Sequence, residues 1–358
     1  MAKFQPWAYA DSTHTRITVD SGPTKNPKKM TGTRLGAIAG VNKYKTDFGA
    51  WCEICRVAED PFVESKYTRA GIAIEPALIA WCKENVSPYI VTPEQWFGTP
   101  EKLYDHFPTE PIFGGMWDGL VLDKKFAQFG QAIVGVIEAK TSSRPQDWTD
   151  GVPESYAVQA LEYAWLLHVD RVFIPVAFLT DADYDHPETF VCTDENTQLY
   201  ELRVSEHLIG NNNIDAIMAN AMEWYDCHVI DNISPAFNAS LKADKTFLDI
   251  LRKTEVKHDG LETMAKEAAI LEAKIEAVRA KSDLDTLEKS LKTLKDKMKV
   301  IIIPMFNPND DVIATYGWQV KRSTTVTIDK EALAADDLLD KYSITVPRYT
   351  LSKEKATA

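Results

Sequence analysis

Up to about residue 235, the hydrophobic pattern alternates between helical and strand periods. Apolar residues spaced by three and four positions predict helices at about 47–57, 66–85 and 154–168. Short apolar runs of strand length predict strands within 111–123, 132–143 and 171–179, with another near 89–92. Pro175 lies inside the third run, where proline favours a sheet edge or a bulge. This order of elements predicts a mixed β-sheet flanked by helices.

Polar and turn-forming residues predict the boundaries between these elements. Thr46 or Asp47 is expected to cap the helix that follows. Pro76 is expected to kink or restart the helix at 66–85, because proline cannot donate the usual helical hydrogen bond. Two further short runs predict a β-hairpin at 188–204. Residues 1–30 are rich in turn formers and predict an extended or partly mobile arm.

The pattern changes after residue 255. Apolar residues recur at steps of three and four from Leu261 to Met298, with a break in phase at 281–283. This pattern predicts either two helices, paired as an antiparallel hairpin, or one long helix with a phase slip. Alternation at 312–328 predicts strands after it. We therefore divide the chain into an arm (1–30), a core domain (31–235) and a helical and β C-terminal extension (236–358).

Composition and charge narrow the class of protein. There is no run of about 18 apolar residues and no apolar signal core, so we expect a cytoplasmic protein without a membrane span. Five scattered cysteines argue against a disulfide framework. Cys52 and Cys55 are expected to pack inside a helix, with a partial iron–sulfur set as the alternative. The net charge of −13 argues against a non-specific nucleic-acid coat but is compatible with a local basic cleft.

One predicted strand ends in charges that a buried strand does not need. The run VGVIEAKTSS (134–143) contains Glu138, Ala139 and Lys140 in succession. Because side chains alternate along a strand, Glu138 and Lys140 share one face. Burying both charges costs desolvation free energy unless they serve a site, and a surface ion pair at a strand end is the alternative.

A second carboxylate is expected next to this strand end. Asp118 lies in the preceding predicted strand, in GGMWDGLV, and sequential strands usually pair. Two adjacent carboxylates repel each other, and a divalent cation such as Mg²⁺ or Mn²⁺ removes that repulsion. The backbone carbonyl of Ala139 is a candidate third ligand. Lys140 would then orient an attacking water or neutralise a phosphate oxygen.

Two predicted helices carry further polar candidates. Glu75 is the one acid in the apolar stretch RAGIAIEPALIAW. Gln159 and Tyr163 are four residues apart and therefore share a helix face. The alternative for all three is a solvated position, because amphipathic helices carry such polar stripes.

Taken together, these residues resemble a known family. The matching motifs are GxxxE at 71–75, Asp118, the triplet Glu138–Ala139–Lys140, and QxxxY at 159–163, which are similar to the PD-(D/E)XK nuclease core. The arrangement is most similar to the YqaJ-like viral recombinase group, related to phage lambda exonuclease, over roughly 31–235. GTRLGAIAGVNKYKTDFGAW (32–51) also resembles the N-terminal block of that group. Trp117 replaces the proline of the PD motif, and Thr33 replaces the usual serine of the N-terminal block.

The resemblance implies a restriction-endonuclease-like fold and a role for each matching residue. Asp118 and Glu138 would be the metal ligands, with the carbonyl of Ala139, and Lys140 would be the catalytic lysine. Glu75 would be a further acid at the metal, acting through water. The remaining catalytic candidates would position Lys140 or a phosphate; they are Gln159 and Tyr163.

The resemblance also implies contacts with DNA and with other proteins. The N-terminal block helps relatives to hold the 5′-phosphate end, so Thr33 is expected to supply a hydroxyl and Arg34 or Lys43 a positive charge. Further contacts with the DNA backbone are expected from Ser142, Ser143 and Arg144. Relatives form rings around DNA, which implies a homo-oligomer, as a trimeric ring. The same resemblance implies a phage or prophage origin and a single-strand annealing protein as partner.

The implied activity is Mg²⁺-dependent hydrolysis of phosphodiester bonds. The resemblance implies digestion of linear double-stranded DNA ends, from 5′ to 3′, which leaves 3′ single strands for recombination by annealing. Two alternatives stay open at this stage. An endonuclease or repair nuclease would share the same core, and a catalytically inactive DNA-end-binding scaffold could use region 261–299 as its working surface.

Overall fold

The structure is a computed structural model. It describes residues 6–60, 63–99, 103–123, 132–255, 258–278, 284–328 and 343–353. The chain divides into two compact units, Met1–Lys245 and Thr246–Ala358. Within the described ranges, no helix combines the length and the apolar character that a membrane span requires.

The N-terminal unit alternates short strands with longer helices. Its strands are β1 (Trp7–Tyr9), β2 (Ile17–Val19), β3 (Ile90–Val91), β4 (Gly119–Leu122), β5 (Ile133–Ile137), β6 (Lys140–Ser142), β7 (Arg171–Phe178) and β8 (Thr197–Arg203). Its helices are α1 (Gly32–Ile38), α2 (Asp47–Ile54), α3 (Lys66–Asn85), α4 (Pro93–Phe97), α5 (Glu154–Leu166), α6 (Asp181–Asp185) and α7 (Ile214–Tyr225). Helix α8 (Lys242–Leu251) contains the boundary between the units.

A mixed sheet forms the centre of this unit. Strands β3, β4 and β5 pair antiparallel, β5 and β6 both run parallel to β7, and β8 pairs antiparallel with the other side of β7. The predicted mixed sheet flanked by helices is therefore confirmed. The hairpin predicted at 188–204 is wrong, because within that range only Thr197–Arg203 forms a strand, and it pairs with β7.

Strands β5 and β6 form one interrupted line along β7. Val136 pairs with Val172 and Lys140 pairs with Val176, so the register is the same on both sides of the interruption. The two residues between the strands include Glu138, whose N–H still donates to the carbonyl oxygen of a β7 residue at 3.0 Å. The charged residues that were predicted at the end of a strand therefore lie at an interruption between β5 and β6.

Pro175 lies in β7 opposite this gap. The N–H of Leu179 donates to the carbonyl oxygen of Ser142 on this side of β7 (2.8 Å), and N–H groups return to the same side at every second residue. The nitrogen of Pro175 therefore faces the gap. In this register residue 175 would donate to the carbonyl oxygen of Glu138, but proline has no N–H. The expected edge position of Pro175 is wrong, because β7 pairs on both sides.

The helices of this unit begin at side-chain caps. Thr46 caps α2, as predicted, because its side chain accepts a hydrogen bond from the N–H of Gly49 at 3.2 Å. Ser65 caps α3 through the N–H of Thr68, also at 3.2 Å. Helix α3 continues through Pro76, so the expected restart there is wrong. One side of α3 packs into an apolar cluster with the end of β7.

The first described residues form a hairpin that is fixed to a distant segment. Strands β1 and β2 pair antiparallel. The N–H of Ile17 donates to the Ser234 hydroxyl (2.9 Å), and the N–H of Val19 donates to the Asn232 side chain (3.1 Å). The predicted extended arm therefore includes an ordered hairpin that is held by residues from the end of the same unit.

The C-terminal unit combines two long helices with a four-stranded sheet. Its elements are β9 (Lys253–Glu255), α9 (Asp259–Val278), α10 (Leu284–Ile302), β10 (Val312–Thr315), β11 (Trp318–Ile328) and β12 (Ser343–Lys353). The strands follow the order β12-β11-β10-β9. Leu261 of α9 packs with Ile302 of α10, while Glu272 pairs with Lys295 at 3.1 Å. The helices are therefore antiparallel, and of the two predicted arrangements the hairpin is the one observed.

Candidate active site

Glu138 is a buried carboxylate with two different oxygen environments. Its side chain lies in the gap of the β5–β6 line, and the residue is 3% exposed. Oε1 accepts hydrogen bonds from Lys140 Nζ (2.5 Å) and Gln159 Nε2 (2.7 Å). Oε2 is buried and has no hydrogen-bond partner among the residues that the structure describes. Leaving a buried carboxylate oxygen unpaired costs about 1–3 kcal/mol of desolvation free energy, and a cation bound there would remove that cost.

Asp118 lies beside Glu138 at the start of β4. Its N–H donates to the carbonyl oxygen of Ile137 (3.1 Å), and its Oδ2 accepts from the N–H of Ala139 (2.8 Å). Burial, then the negative charge of Glu138, raises the pKa of Asp118 well above its usual range. The structure therefore brings together the two carboxylates that the sequence analysis predicted as neighbours.

Glu75 approaches this pair from α3. Its charge also contributes to the raised pKa of Asp118, after burial and Glu138. In the part of the chain that the structure describes, however, no three His, Cys, Asp or Glu side chains converge as a ready-made metal site. The carboxylate pair is thus the centre of the predicted metal set, and Glu75 is a neighbour at longer range.

The chemistry of the pair fits a hard divalent cation. Burial raises the pKa of Glu138 as well, against the opposing effects of Lys140 and Gln159. The negative charge of Glu138 in turn disfavours the charged form of Asp118. A divalent cation between them would remove this cost and would occupy the bare side of Glu138. Oxygen donors are also the ligands that Mg²⁺ and Mn²⁺ prefer.

Lys140 is held against Glu138 by several contacts. Its Nζ also contacts Gln159 Oε1 (3.3 Å) and lies 5.1 Å from the ring centroid of Tyr156. Burial alone would lower the pKa of Lys140, but the charges of Glu138 and Asp118 outweigh this effect and the pKa is raised. Lys140 is therefore a fixed positive charge beside the carboxylate pair.

Gln159 and Tyr163 approach the pair from α5. Gln159 Nε2 also contacts the Tyr163 hydroxyl at 3.2 Å. Both side chains occupy space that two glycines leave open: a Cβ on Gly32 would lie 2.3 Å from Gln159 Cγ, and one on Gly115 would lie 2.2 Å from Tyr163 Cε1. The two α5 residues predicted to act together do share one network with Glu138 and Lys140.

Trp117 and His106 hold the segment that precedes Asp118. The N–H of Trp117 donates to Nδ1 of His106 at 3.1 Å, and the two rings are 4.7 Å apart. Burial lowers the pKa of His106, which agrees with a neutral ring whose Nδ1 accepts a hydrogen bond. A proline at 117 could not donate this hydrogen bond.

Glu162 is a second buried carboxylate close to the site. It is 0% exposed, and neither of its carboxylate oxygens has a hydrogen-bond partner within the described ranges. Burial, then the charge of Glu138, raises its pKa well above the usual range. The surroundings of Glu162 therefore favour its protonated form over the carboxylate.

The residues predicted to touch DNA lie on two segments. Ser142 belongs to β6, and its hydroxyl accepts from the N–H of Arg144 at 3.1 Å, while Ser143 and Arg144 are exposed beyond it. Thr33 is exposed on α1, one residue after the glycine that packs on the α5 network. Lys43 is exposed on the loop that follows α1. Their contacts with DNA stay predictions.

Arg34 differs from the other DNA candidates, because its charge is used inside the protein. Its Nε pairs with Glu53 of α2 (3.0 Å), and Lys45 pairs with the other oxygen of the same carboxylate. Glu53 is buried, so this triad ties α1 and the following loop to α2. Lys43 is the one of the two cations proposed for the phosphate that projects into solvent.

Four residues that shape the site were not among the predicted site residues. Tyr156 was detectable, since it precedes Gln159 by one helical turn on the same face. Neither His106 nor Pro175 was detectable, because their importance depends on partners that only the folded strands bring near. Glu162 resembles a solvated helix residue in the sequence, and its burial results from packing around α5.

Comparison with known protein families provides evidence that is independent of the structure. Residues 25–170 match the sequence model of the YqaJ-like viral recombinase domain. Over this segment the chain is similar to that family. All of the site residues described above except Pro175, from Thr33 to Tyr163, lie within this matched range.

Two mycoplasma proteins are similar to the chain over a longer range. The uncharacterized protein MG373 of Mycoplasma genitalium is 24% identical over 249 residues, which cover 60% of this chain and 85% of that protein. Its homolog from Mycoplasma pneumoniae is 25% identical over 247 residues, covering 58% and 83%.

Two solved structures are also similar in part. A phage-related exonuclease from Haemophilus somnus aligns with a TM-score of 0.35 and 18% identity, covering 56% of this chain and 95% of that chain. An alkaline exonuclease from Laribacter hongkongensis aligns with a TM-score of 0.37 and 17% identity, covering 56% and 89%.

Proposed function

We propose that this protein is a Mg²⁺-dependent deoxyribonuclease that digests linear double-stranded DNA from its 5′ ends. The observation that carries the proposal is the bare, buried Oε2 of Glu138 beside Asp118, with Lys140 fixed next to both. A structural ion pair would satisfy both carboxylate oxygens. A site built to take a cation and a phosphate leaves one oxygen open.

In the proposed reaction, Asp118 and Glu138 would hold the cation, with Glu75 in support. A divalent cation bound there would supply Lewis-acid stabilisation of the charge that develops on the phosphate. Mn²⁺ has the same ligand preference and is expected to substitute. The carbonyl of Ala139 stays a candidate ligand.

The remaining residues of the network would position the phosphate and the attacking water. Lys140 would present a fixed positive charge next to an oxygen of the scissile phosphate. This charge would stabilise the negative charge that develops in the transition state. Gln159 contacts both Lys140 and Glu138, so it would keep their separation constant during the reaction. Tyr163 in turn holds Gln159.

Digestion from DNA ends is the finer part of the proposal. Support comes from the match to a viral recombinase domain and from the position of Thr33 and Lys43 on the exposed side of α1 and its loop. These residues would hold a 5′ phosphate, and Ser142, Ser143 and Arg144 would contact the backbone. A ring of identical subunits, phage or prophage origin and an annealing protein that takes the 3′ single strand complete the proposal.

The proposal is tested with end-labelled linear duplex DNA, with and without a 5′ phosphate, incubated with Mg²⁺. We expect nucleotide release from 5′ ends, faster with the phosphate present, and none with EDTA or with Asp118→Ala. Closed circular duplex serves as the second substrate. Cutting of closed circles would contradict an end-dependent nuclease and favour an endonuclease with the same core.

A binding measurement separates loss of chemistry from loss of the fold. Lys140→Ala is expected to bind duplex DNA and to unfold near the temperature of the unmodified protein, yet to release no nucleotides. If the unmodified protein with Mg²⁺ also releases none while Lys140→Ala binds DNA equally well, the chain is an end-binding scaffold.

A further inference from the structure

The long hairpin of the C-terminal unit extends beyond its own sheet. Strands β11 and β12 pair over their whole length, from Trp318 with Lys353 to Ile328 with Ser343. Strand β10 pairs with β11 only as far as Lys321. In the described part of the chain, residues 323–328 and 343–348 therefore form a two-stranded ribbon with no third strand beside it.

The charge of this hairpin differs from that of the whole protein. The chain carries a net charge of −13. The two strands of the hairpin contain Lys321, Arg322, Arg348 and Lys353 and no aspartate or glutamate. Serine and threonine are frequent in both strands and add hydrogen-bond donors without negative charge. The two paired strands are thus locally basic on an acidic protein, and the acidic residues of the hairpin all fall in the joining sequence, 329–342.

Four of its residues form one exposed face. Lys321 pairs with Thr350, and Ser323 pairs with Arg348, two positions further along the hairpin. Directly opposed residues share a face, and so do residues two apart. All four side chains are exposed. We call this set, Lys321, Ser323, Arg348 and Thr350, the basic face.

The two cations of the basic face differ from the neighbouring arginine. Arg322 donates to the carbonyl oxygens of Asn307 (3.1 Å) and Pro308 (2.6 Å), so it has a structural role. Among the described residues, Lys321 and Arg348 have no carboxylate partner. Their charges are available for a ligand.

We propose that the basic face binds the phosphate backbone of duplex DNA. Lysine, arginine and hydroxyl side chains are the groups that contact phosphates, and a two-stranded ribbon fits the major groove of a duplex. Single-strand binding would need exposed aromatic rings for base stacking. The aromatic residue beside the basic face, Tyr349, is instead half-buried and packs against Phe306 with ring centroids 5.3 Å apart.

The surroundings of the basic face limit how the duplex can approach. An open groove of about 580 Å³ borders it, and Asp249 and Asp311 line the groove as well. Asp311 is paired with Arg252 at 3.2 Å, so its charge is partly neutralised. Asp249 would repel a phosphate backbone that entered the groove. The duplex is therefore expected to lie on the basic face rather than inside the groove.

Binding of a labelled duplex of about two helical turns tests the proposal, with the full chain in EDTA at about 50 to 200 mM salt. The variant Lys321→Glu with Arg348→Glu is expected to weaken binding about tenfold at low salt. The slope of log K against log salt should fall by about 2, because two phosphate contacts are lost. A labelled single strand of the same length should show a smaller difference between the variant and the unmodified protein.

A matched control separates a local effect from a change in net charge. Lys289 and Lys297 are exposed on α10 in the same unit. The variant Lys289→Glu with Lys297→Glu changes the net charge by the same amount, and it should keep the salt slope of the unmodified protein. The milder pair Lys321→Gln with Arg348→Gln, checked for an unchanged unfolding temperature, should still lower the slope.

The result that overturns the proposal is an unchanged slope in the basic-face variants, or an equal loss in the α10 control. The inference rests on the proposed function only in taking duplex DNA as the ligand. The experiments can therefore contradict the nuclease and the DNA contact independently of each other. Slope loss in a protein that releases no nucleotides with Mg²⁺ would remove the nuclease and leave this DNA contact. An active nuclease with an unchanged slope would remove only this contact.

Discussion

Pro175 faces the backbone of Glu138 across the gap between β5 and β6. In this register a residue with an N–H would donate to the carbonyl oxygen of Glu138, and proline cannot. At this point the N–H of Ala139, which faces away from β7, donates to Asp118 Oδ2 (2.8 Å). The strand is thus interrupted where the two carboxylates meet.

We therefore expect Pro175→Ala to lower the nuclease rate while the protein stays folded. The restored N–H can bond to the Glu138 carbonyl and draw its backbone into the ladder, and a displacement of about 1 Å in an active site costs about 100-fold in rate. The new hydrogen bond would contribute about 0.5–1.5 kcal/mol to stability, offset by greater freedom of the unfolded chain. Rate and unfolding temperature are measured together. Ile174→Val is the control in the same strand, and a Pro175→Ala rate equal to that of the control would contradict the prediction.

Gly32 offers a second test of positioning, from the helical side. Gly32→Ala would place a Cβ 2.3 Å from Gln159 Cγ, whereas Gly36→Ala in the same helix would place one 3.3 Å from Val158 Cγ1. Both changes favour the helix by about 1 kcal/mol relative to glycine. We expect Gly32→Ala to lower kcat by about 10–100-fold and Gly36→Ala to leave it nearly unchanged. Similar kcat values for the two variants would show that catalysis does not depend on the present position of the Gln159 side chain.

Glu162 is expected to destabilise the protein at neutral pH. Its folded pKa lies above the ordinary value of 4.5, so the folded state holds a proton that the unfolded state releases, and stability falls as the pH rises above 4.5. Glu162→Met should raise the free energy of unfolding by about 1–3 kcal/mol at pH 7.5, and by less near pH 5. Urea unfolding at both pH values measures this. Glu162→Gln is the control that removes the titration alone, and a gain independent of pH would contradict the assigned cause.

The hydrogen bond between Trp117 and His106 predicts an opposite dependence on pH. The folded pKa of His106 lies below the ordinary 6.5, so the unfolded state binds a proton first as the pH falls. The stability that a neutral His106 contributes is present above pH 6.5 and is lost below it. His106→Gln keeps an acceptor without titrating, so its stability deficit relative to the unmodified protein should shrink between pH 7.5 and 5.5. A constant deficit would mean that His106 does not titrate in this range.

The helices and the main strands were predictable because each carries its own signal. Apolar spacing predicted α2, α3 and α5, and the short apolar runs predicted β4, β5 and β7, since burial of one face fixes the period. The hairpin at 188–204 failed for a physical reason. In its first run, Pro187–Thr189 form a 3₁₀ turn, and Phe190 and Cys192 pack against the apolar cluster of α3 and β7 without pairing as a strand.

The centre of the site was also predictable, whereas its supports were not. Asp118, Glu138 and Lys140 are charges within apolar runs, which is a signal that one sequence can show. His106 and Pro175 act through partners that the register of the sheet decides. Gly32 and Gly115 matter for the volume they leave to α5, and that volume exists only once the helices have packed.

The attachment of the first hairpin to residues 232–234 has a consequence for the order in which the chain becomes structured. The hydrogen bond from Ile17 to Ser234 joins residues 217 positions apart. Contacts of such separation form late, since a long loop must close first. During synthesis on the ribosome, the segment made first must therefore wait for one of the last segments of its unit before its edge is covered. Slow translation before residue 234 would prolong the time in which this edge can pair with another nascent chain.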